Sequence, residues 1–273
     1  MSAQKKTKRQ TAASITARKG GEPIVGLTAY DAPTAALLDP HCDLILVGDS
    51  VGMVVHGLPS TVGVTMEMMI LHGQAVMRGA AQSLVVVDMP FGSYESDPRQ
   101  AFANASRLLI ETGAGAVKIE AGTYTAEIIS FLTERGIPVM GHVGLRPQSS
   151  NVTGGFKAVG RSDEEWRQVL AEAEAADRAG AFALVVEGVD ELLARNITES
   201  VEAPTIGIGA SSACDGQILV TPDMLGLFDW TPKFVRKFGN LRSDITSAVE
   251  AYAEAVRDRR FPGDEEVYRL RRN

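Results

Sequence analysis

From residue 23 onward, short apolar runs alternate with longer stretches of helical period. The runs are PIVGLTAY from Pro23, LILVGD from Leu44, SLVVVDMP from Ser83, AVKIEA from Ala116, IPVMGHVG from Ile137, FALVVEGV from Phe182 and PTIGIGA from Pro204. Rich in Val and Ile, they predict strands in successive βα units and a parallel sheet. Between them, VTMEMMILHGQAVMRG, DPRQAFANASRLLIETG, TYTAEIISFLTERG and DEEWRQVLAEAEAADRAG predict helices closing on Gly79, Gly113, Gly136 and Gly180 in the manner of C-cap glycines. GQILV at Gly216 follows PTIGIGA too closely for the dozen or more residues that a parallel crossover usually takes. KFVRKF, Lys233 to Phe238, is therefore expected as the eighth strand, with Cys214 to Phe228 as the seventh crossover helix and Asn240 capping the last helix. Eight such units predict an α/β fold, a single-domain (βα)8 TIM barrel over residues 23–273 after an N-terminal extension, 1–22, partly disordered or helical.

Composition agrees with one folded barrel. Of 273 residues, 45% are hydrophobic and 22% charged, which suits a large single core and leaves disorder to the ends. The formal net charge is −7, and basic runs occur only in KKTKR at Lys5 and RLRRN at Arg269, without interleaved aromatics. Nucleic acid is accordingly not an expected partner. No run reaches the roughly 18 apolar residues that span a bilayer, so no membrane association is expected. Cys42 and Cys214 fit neither a disulfide framework nor a zinc spacing, which points to the reducing cytoplasm.

Chemistry in such barrels sits at the C-terminal ends of the strands. Asp49, Asp88, Lys118, Glu120, His142 and Glu187 each close or nearly close an apolar run. Asp49, Asp88 and Glu120 recur at about one βα repeat, which predicts three carboxylates converging on one rim. Such a set suits a hard cation, Mg²⁺ before Zn²⁺; alternatively each acid caps the next helix or pairs with an Arg. Lys118 and Glu120, two apart on one strand, share a face, so a lysine facing the barrel needs those acids or an anionic substrate as counter-charge. Glu187 is either a desolvated general acid or base or a cap for the helix DELLARNITES. His142 either donates to an oxyanion or satisfies a loop. The glycine-rich GIGASSACDG matches no phosphate-loop spacing, and Met53, Met66, Met68 and Met69 read as core filling. A cation, a lysine and a carboxylic acid across the barrel suit chelation of a 2-oxo acid and removal of the proton beside its carbonyl.

At these residues the chain resembles the ketopantoate hydroxymethyltransferase (3-methyl-2-oxobutanoate hydroxymethyltransferase) family. The likeness runs through TAYD, LVGDSVGM, HGLPSTVGVT, DMPFGSY, VKIEAG, RGIPVMGHVGLRPQS, GGFKAVGR, AGAFALVVEGV, IGIGASSACDGQILV and PKFVRKF. It implies a barrel enzyme of pantothenate and coenzyme A biosynthesis that transfers a hydroxymethyl group from 5,10-methylenetetrahydrofolate to 3-methyl-2-oxobutanoate through a Mg-stabilised enolate. Carried over, it implies Asp49, Asp88 and Glu120 around one Mg²⁺ per subunit, Asp49, Ser50, Asp88 and Lys118 binding the oxo acid, and Glu187 as proton acceptor, with His142 in support. It also implies a homo-oligomer, a decamer of barrels. Ala121, Arg146, Val159 and the ASSACDG loop depart from the family pattern and touch neither the metal set nor Glu187. The alternatives are a Mg-dependent carbon–carbon lyase of the phosphoenolpyruvate mutase and isocitrate lyase type, whose K-[KR]-C-G-H string does not occur here, and a non-catalytic metabolite-binding barrel.

Overall fold

A computed structural model of the chain describes residues 8–122, 124–155 and 158–269. Eight parallel strands form a closed barrel in chain order. They are β1 (Ile24–Thr28), β2 (Leu44–Val47), β3 (Leu84–Asp88), β4 (Ala116–Glu120), β5 (Val139–Gly144), β6 (Ala183–Glu187), β7 (Thr205–Ile208) and β8 (Gly216–Leu219). The α-helices are α1 (Ala12–Thr16), α2 (Ala32–Leu38), α3 (Val51–Val54), α4 (Met66–Gly79), α5 (Pro98–Thr112), α6 (Thr125–Thr133), α7 (Ser150–Thr153), α8 (Asp163–Arg178), α9 (Glu191–Ser200), α10 (Thr221–Met224) and α11 (Leu241–Arg257). The chain divides into two compact units after Val220; the first holds all eight strands and α1 to α9, the second α10 and α11.

The eighth strand corrects the sequence reading. GQILV supplies β8, which pairs with β7 and β1, whereas Lys233 to Phe238 is irregular, with Phe234 and Phe238 exposed. The stretch Cys214 to Phe228 holds β8 and α10 rather than a crossover helix. The rule of a dozen residues assumes a helix in the connection. A four-residue strand rises only about 13 Å, and the seven residues 209–215 reach farther than that when extended. The GASSACD crossover packs on both strands it joins: Gln217 Nε2 of β8 donates to Ser211 O (2.9 Å), and a Cβ on Gly207 of β7 would meet the Gln217 amide and Cys214 Sγ.

Two apolar layers follow from the period of two. One side of the strands and the inner faces of the helices form the outer layer, including Val47, Val87, Ile119, Leu132 and Leu184. Alternate residues fill the barrel interior: Ile24, Leu44, Leu46, Leu84, Val86, Ala116, Met140, Ala183, Val185, Ile206 and Ile218. Ile15 of α1 joins this inner layer, fully buried. The extension is thus in part helical, with Thr11 and Ser14 forming a capping box; residues 1–7 lie outside the described residues. Behind α1, Lys19 Nζ reaches Thr198 O (2.6 Å), Ala203 O (3.2 Å) and Asp215 (3.1 Å), and Arg18 pairs with Asp43 at 3.1 Å.

Gly113 caps α5 in the left-handed conformation, as its position predicts. Gly79 does not: it is the last residue of α4, and its missing Cβ lets α4 approach the Ala32 carbonyl at the start of α2. Asn240 stands at the N-cap of α11 but makes no side-chain cap bond. Met69 is fully buried and Met66 and Met68 pack against the core, but Met53 is 37% exposed, since its short helix α3 buries Val51 and Gly52 instead.

Candidate active site

The inner faces of β3, β4 and β6 change chemistry along their length. Leu84 and Val86 lead to Asp88, Ala116 leads to Lys118 and Glu120, and Ala183 and Val185 lead to Glu187, each two residues on along the same face. Register then places Asp88 beside Lys118 and Glu120 beside His142. Lys118 Nζ lies 2.9 Å from Asp88 Oδ1 and 3.4 Å from His142 Nδ1, and His142 Nε2 lies 3.1 Å from Glu187 Oε2. With Lys118 donating to Nδ1, the neutral imidazole carries its proton on Nε2, which lies near Glu187 without the alignment of a hydrogen bond.

Asp49 reaches the same place from the turn after β2. Its backbone N–H donates to Asp88 Oδ2 (2.9 Å), and its own Oδ2 accepts from Gln148 Nε2 (2.8 Å). Gly48 permits this turn, because a Cβ there would lie 2.7 Å from Ser50 Oγ. The Ser50 hydroxyl shares a hydrogen bond of 2.9 Å with Tyr30 OH. Glu120 Oε1 accepts the Gln148 backbone N–H (3.1 Å), while its Oε2 is buried with no hydrogen-bond partner among the described residues.

The structure therefore brings together all seven residues singled out in the sequence. Two more, Gln148 and Tyr94, were not singled out, although both lie in strings that carried the resemblance. Tyr94 OH donates to Gln148 Oε1 (2.7 Å) and accepts the Glu120 N–H (3.2 Å), and both side chains are buried. Glu187 does not cap the following helix; Asp190 does, accepting the Leu192 N–H.

Burial and crowding set the charges. Burial, then the Asp88 charge, pushes Asp49 well above the ordinary carboxylate range, and burial, then Asp49, pushes Glu120 up to about 8. Burial alone would lower the Lys118 ammonium, but Asp88, Asp49 and Glu120 outweigh it and hold the lysine protonated. Burial, then Lys118, lowers His142 and keeps it neutral. One ammonium thus faces three acids, two of which resist ionisation. Among the described residues no group of three or more His, Cys, Asp or Glu is assembled as a metal site. The donors nonetheless fit a hard cation: all are carboxyl oxygens, the two acids that resist ionisation do so for want of a second positive charge beside Lys118, and Glu120 Oε2 is buried and unpartnered among the described residues.

The loop departures are accommodated around this cluster. Arg146 Nη1 donates to Ala121 O (3.2 Å) and lies 3.5 Å from Glu172, and Val159 bridges to Val189.

A parallel (βα)8 barrel with acids, a lysine and a neutral histidine at the C-terminal strand ends has the architecture of a TIM-barrel enzyme site. The ketopantoate hydroxymethyltransferase family model matches residues 9–264, and the chain belongs to that family. It is 66% identical to the 3-methyl-2-oxobutanoate hydroxymethyltransferase of Hyphomonas neptunium, over 100% of this chain and 99% of that protein. It is 68% identical to that of Phenylobacterium zucineum, over 97% of this chain and 96% of that protein. Solved structures share the fold at low identity. A phosphonopyruvate hydrolase in complex with oxalate and Mg²⁺ superimposes with a TM-score of 0.62 at 12% identity, covering 96% of this chain and 92% of the other. A 2,3-dimethylmalate lyase of the PEP mutase/isocitrate lyase superfamily gives 0.60 at 16%, covering 96% and 93%.

Proposed function

We propose that this chain transfers a hydroxymethyl group from 5,10-methylenetetrahydrofolate to 3-methyl-2-oxobutanoate, giving 2-dehydropantoate and tetrahydrofolate, in pantothenate and coenzyme A biosynthesis. Supporting this reading is the pairing of an acid-rich cluster around Lys118 with a separate carboxylate, Glu187, beside a neutral histidine.

Asp49 and Asp88, with Glu120 as third acid, would hold one Mg²⁺ per subunit. When bound, that ion supplies Lewis-acid polarisation of the oxo acid's carbonyl. Lys118 and the Ser50 hydroxyl bind the oxo acid, the lysine by charge and the serine by donating a hydrogen bond while Tyr30 fixes its rotamer. Glu187 takes the proton from C3. His142 Nε2 stands 3.1 Å from Glu187 Oε2, close enough to steady the carboxylate as it receives the proton. The new bond joins C3 to the folate's one-carbon unit, water supplies the hydroxyl oxygen, and the two bonds from that carbon to folate nitrogens break, the nitrogens taking up the C3 proton and one proton of the water as tetrahydrofolate leaves.

No helix among the described residues is long and apolar enough to cross a membrane. Both cysteines are free thiols, in keeping with a cytoplasmic enzyme. A homo-oligomer, a decamer by family likeness, gives a role to α11: Ile245, Val249, Tyr252 and Val256 form an exposed apolar stripe at helical spacing, and no residue of the helix is buried. The test is to incubate the purified protein with both substrates and Mg²⁺ and follow 2-dehydropantoate and tetrahydrofolate by mass spectrometry. Equimolar appearance of the two supports the assignment; their absence in a folded, Mg²⁺-supplied protein contradicts it.

A further inference from the structure

Gln148 sits in the loop after β5, in the 3₁₀ turn Pro147–Ser149, yet it is 5% exposed and touches residues from three other strand ends. Its amide hydrogens go to Asp49 Oδ2 (2.8 Å) and to Met89 O (3.0 Å), its Oε1 accepts from Tyr94 OH (2.7 Å), and its backbone N–H goes to Glu120 Oε1 (3.1 Å). A buried amide can be turned over at little cost in shape, so its orientation needs a reason. Tyr94 supplies it. The Tyr94 oxygen accepts the Glu120 N–H, which directs the phenol proton at Gln148 Oε1, and the Gln148 NH₂ then has to face Asp49.

One oxygen of each acid is consumed as a result. Asp49 Oδ2 and Glu120 Oε1 are both bonded to Gln148, whereas Asp49 Oδ1 is the oxygen that Gln148 does not engage and Glu120 Oε2 is buried without a hydrogen-bond partner among the described residues. We infer that Gln148, oriented by Tyr94, is a positioning residue that makes these two carboxylates one-sided and leaves Asp49 Oδ1 and Glu120 Oε2 for a divalent cation. The inference rests on the proposed cation site and adds to it residues that touch neither the ion nor the substrate. Partners of this outer kind change metal affinity by about 10- to 100-fold when removed.

The test is calorimetric titration of Mn²⁺ into the metal-stripped full chain, for the wild type, Gln148→Met and Tyr94→Phe, with a melting curve for each. Gln148→Met keeps the volume and removes the hydrogen bonds of the amide. It is expected to bind Mn²⁺ about tenfold more weakly, with turnover partly recovered at high Mn²⁺. Tyr94→Phe keeps the amide but frees its orientation and is expected to weaken Mn²⁺ about threefold. A role confined to packing would lower the melting temperature of both and leave Mn²⁺ affinity unchanged. Affinity within twofold of wild type in folded Gln148→Met overturns the inference; if that variant does not fold, unchanged affinity in Tyr94→Phe does so. A wild type that binds no Mn²⁺ overturns the cation reading itself, and this inference with it.

Discussion

The two ends of the barrel treat a buried acid in opposite ways. At the N-terminal end Asp39 accepts the backbone N–H groups of Ala81, Gln82 and Ser83, and Asp215 accepts those of Gly20 and Thr205 beside Lys19. Burial by itself would raise both acids, but these donors outweigh it and hold them below the ordinary carboxylate range. At the C-terminal end burial and then the neighbouring acids push Asp49 and Glu120 up, with too few hydrogen-bond donors to offset them. The first arrangement ties the segment after Ile15 to the barrel; the second leaves acids short of partners at the place where the proposed cation and substrate would bind. Since both ends are built on the same strands, stability and chemistry separate along the strand axis.

Substitutions at each end should therefore break different properties. Glu187→Gln is expected to cut turnover at least about 100-fold, a loss near 2.7 kcal/mol, while its melting temperature stays within about 2 °C of wild type; steady-state kinetics and calorimetry check this. At the opposite end, Ile15→Ala is expected to cost about 2 kcal/mol of stability, lowering the melting temperature by about 5 °C and leaving turnover per folded molecule unchanged. Equal loss of activity in the two variants would mean that the ends are not separable.

Smaller effects sharpen the contrast. Asp88→Asn weakens the ion pair that Lys118 makes at 2.9 Å and is expected to lower turnover at least about tenfold, or 1.4 kcal/mol. Asp215→Asn should cost about 1 kcal/mol at neutral pH. The folded carboxyl lies below its unfolded value of about 3.9, so its contribution is complete above that pH and is lost as pH falls through the folded value. Denaturation curves of wild type and Asp215→Asn should therefore converge once the pH has fallen through the folded value, and a gap that persists in acid would contradict the hydrogen-bonded account of this end.

Much of the site was legible because strands impose a period of two and βα units impose a longer one. Those two periods alone place Asp49, Asp88 and Glu120 on one rim and set Lys118 on the face of Glu120. Seven of the eight strands were legible for the same reason. The eighth was not, because its crossover is a short loop and because KFVRKF imitates a strand in residues that stay exposed. Gln148 and Tyr94 were missed on other grounds: they come from loops, where no period applies, and their partners lie 28 and 26 residues away in sequence at Glu120 and farther at Asp49. Ile15 looked like part of a tail, since one isoleucine in a polar stretch carries no pattern.

Proton exchange at C3 of 3-methyl-2-oxobutanoate, followed by NMR in D₂O, tests the central claim most directly. It isolates the proton transfer assigned to Glu187 from folate binding. The expected result is exchange with Mg²⁺ present, little in the metal-stripped protein, and a loss of at least about 100-fold in Glu187→Gln with Mg²⁺ restored. Exchange that is unaffected by removing the metal, or that survives Glu187→Gln, would contradict the account.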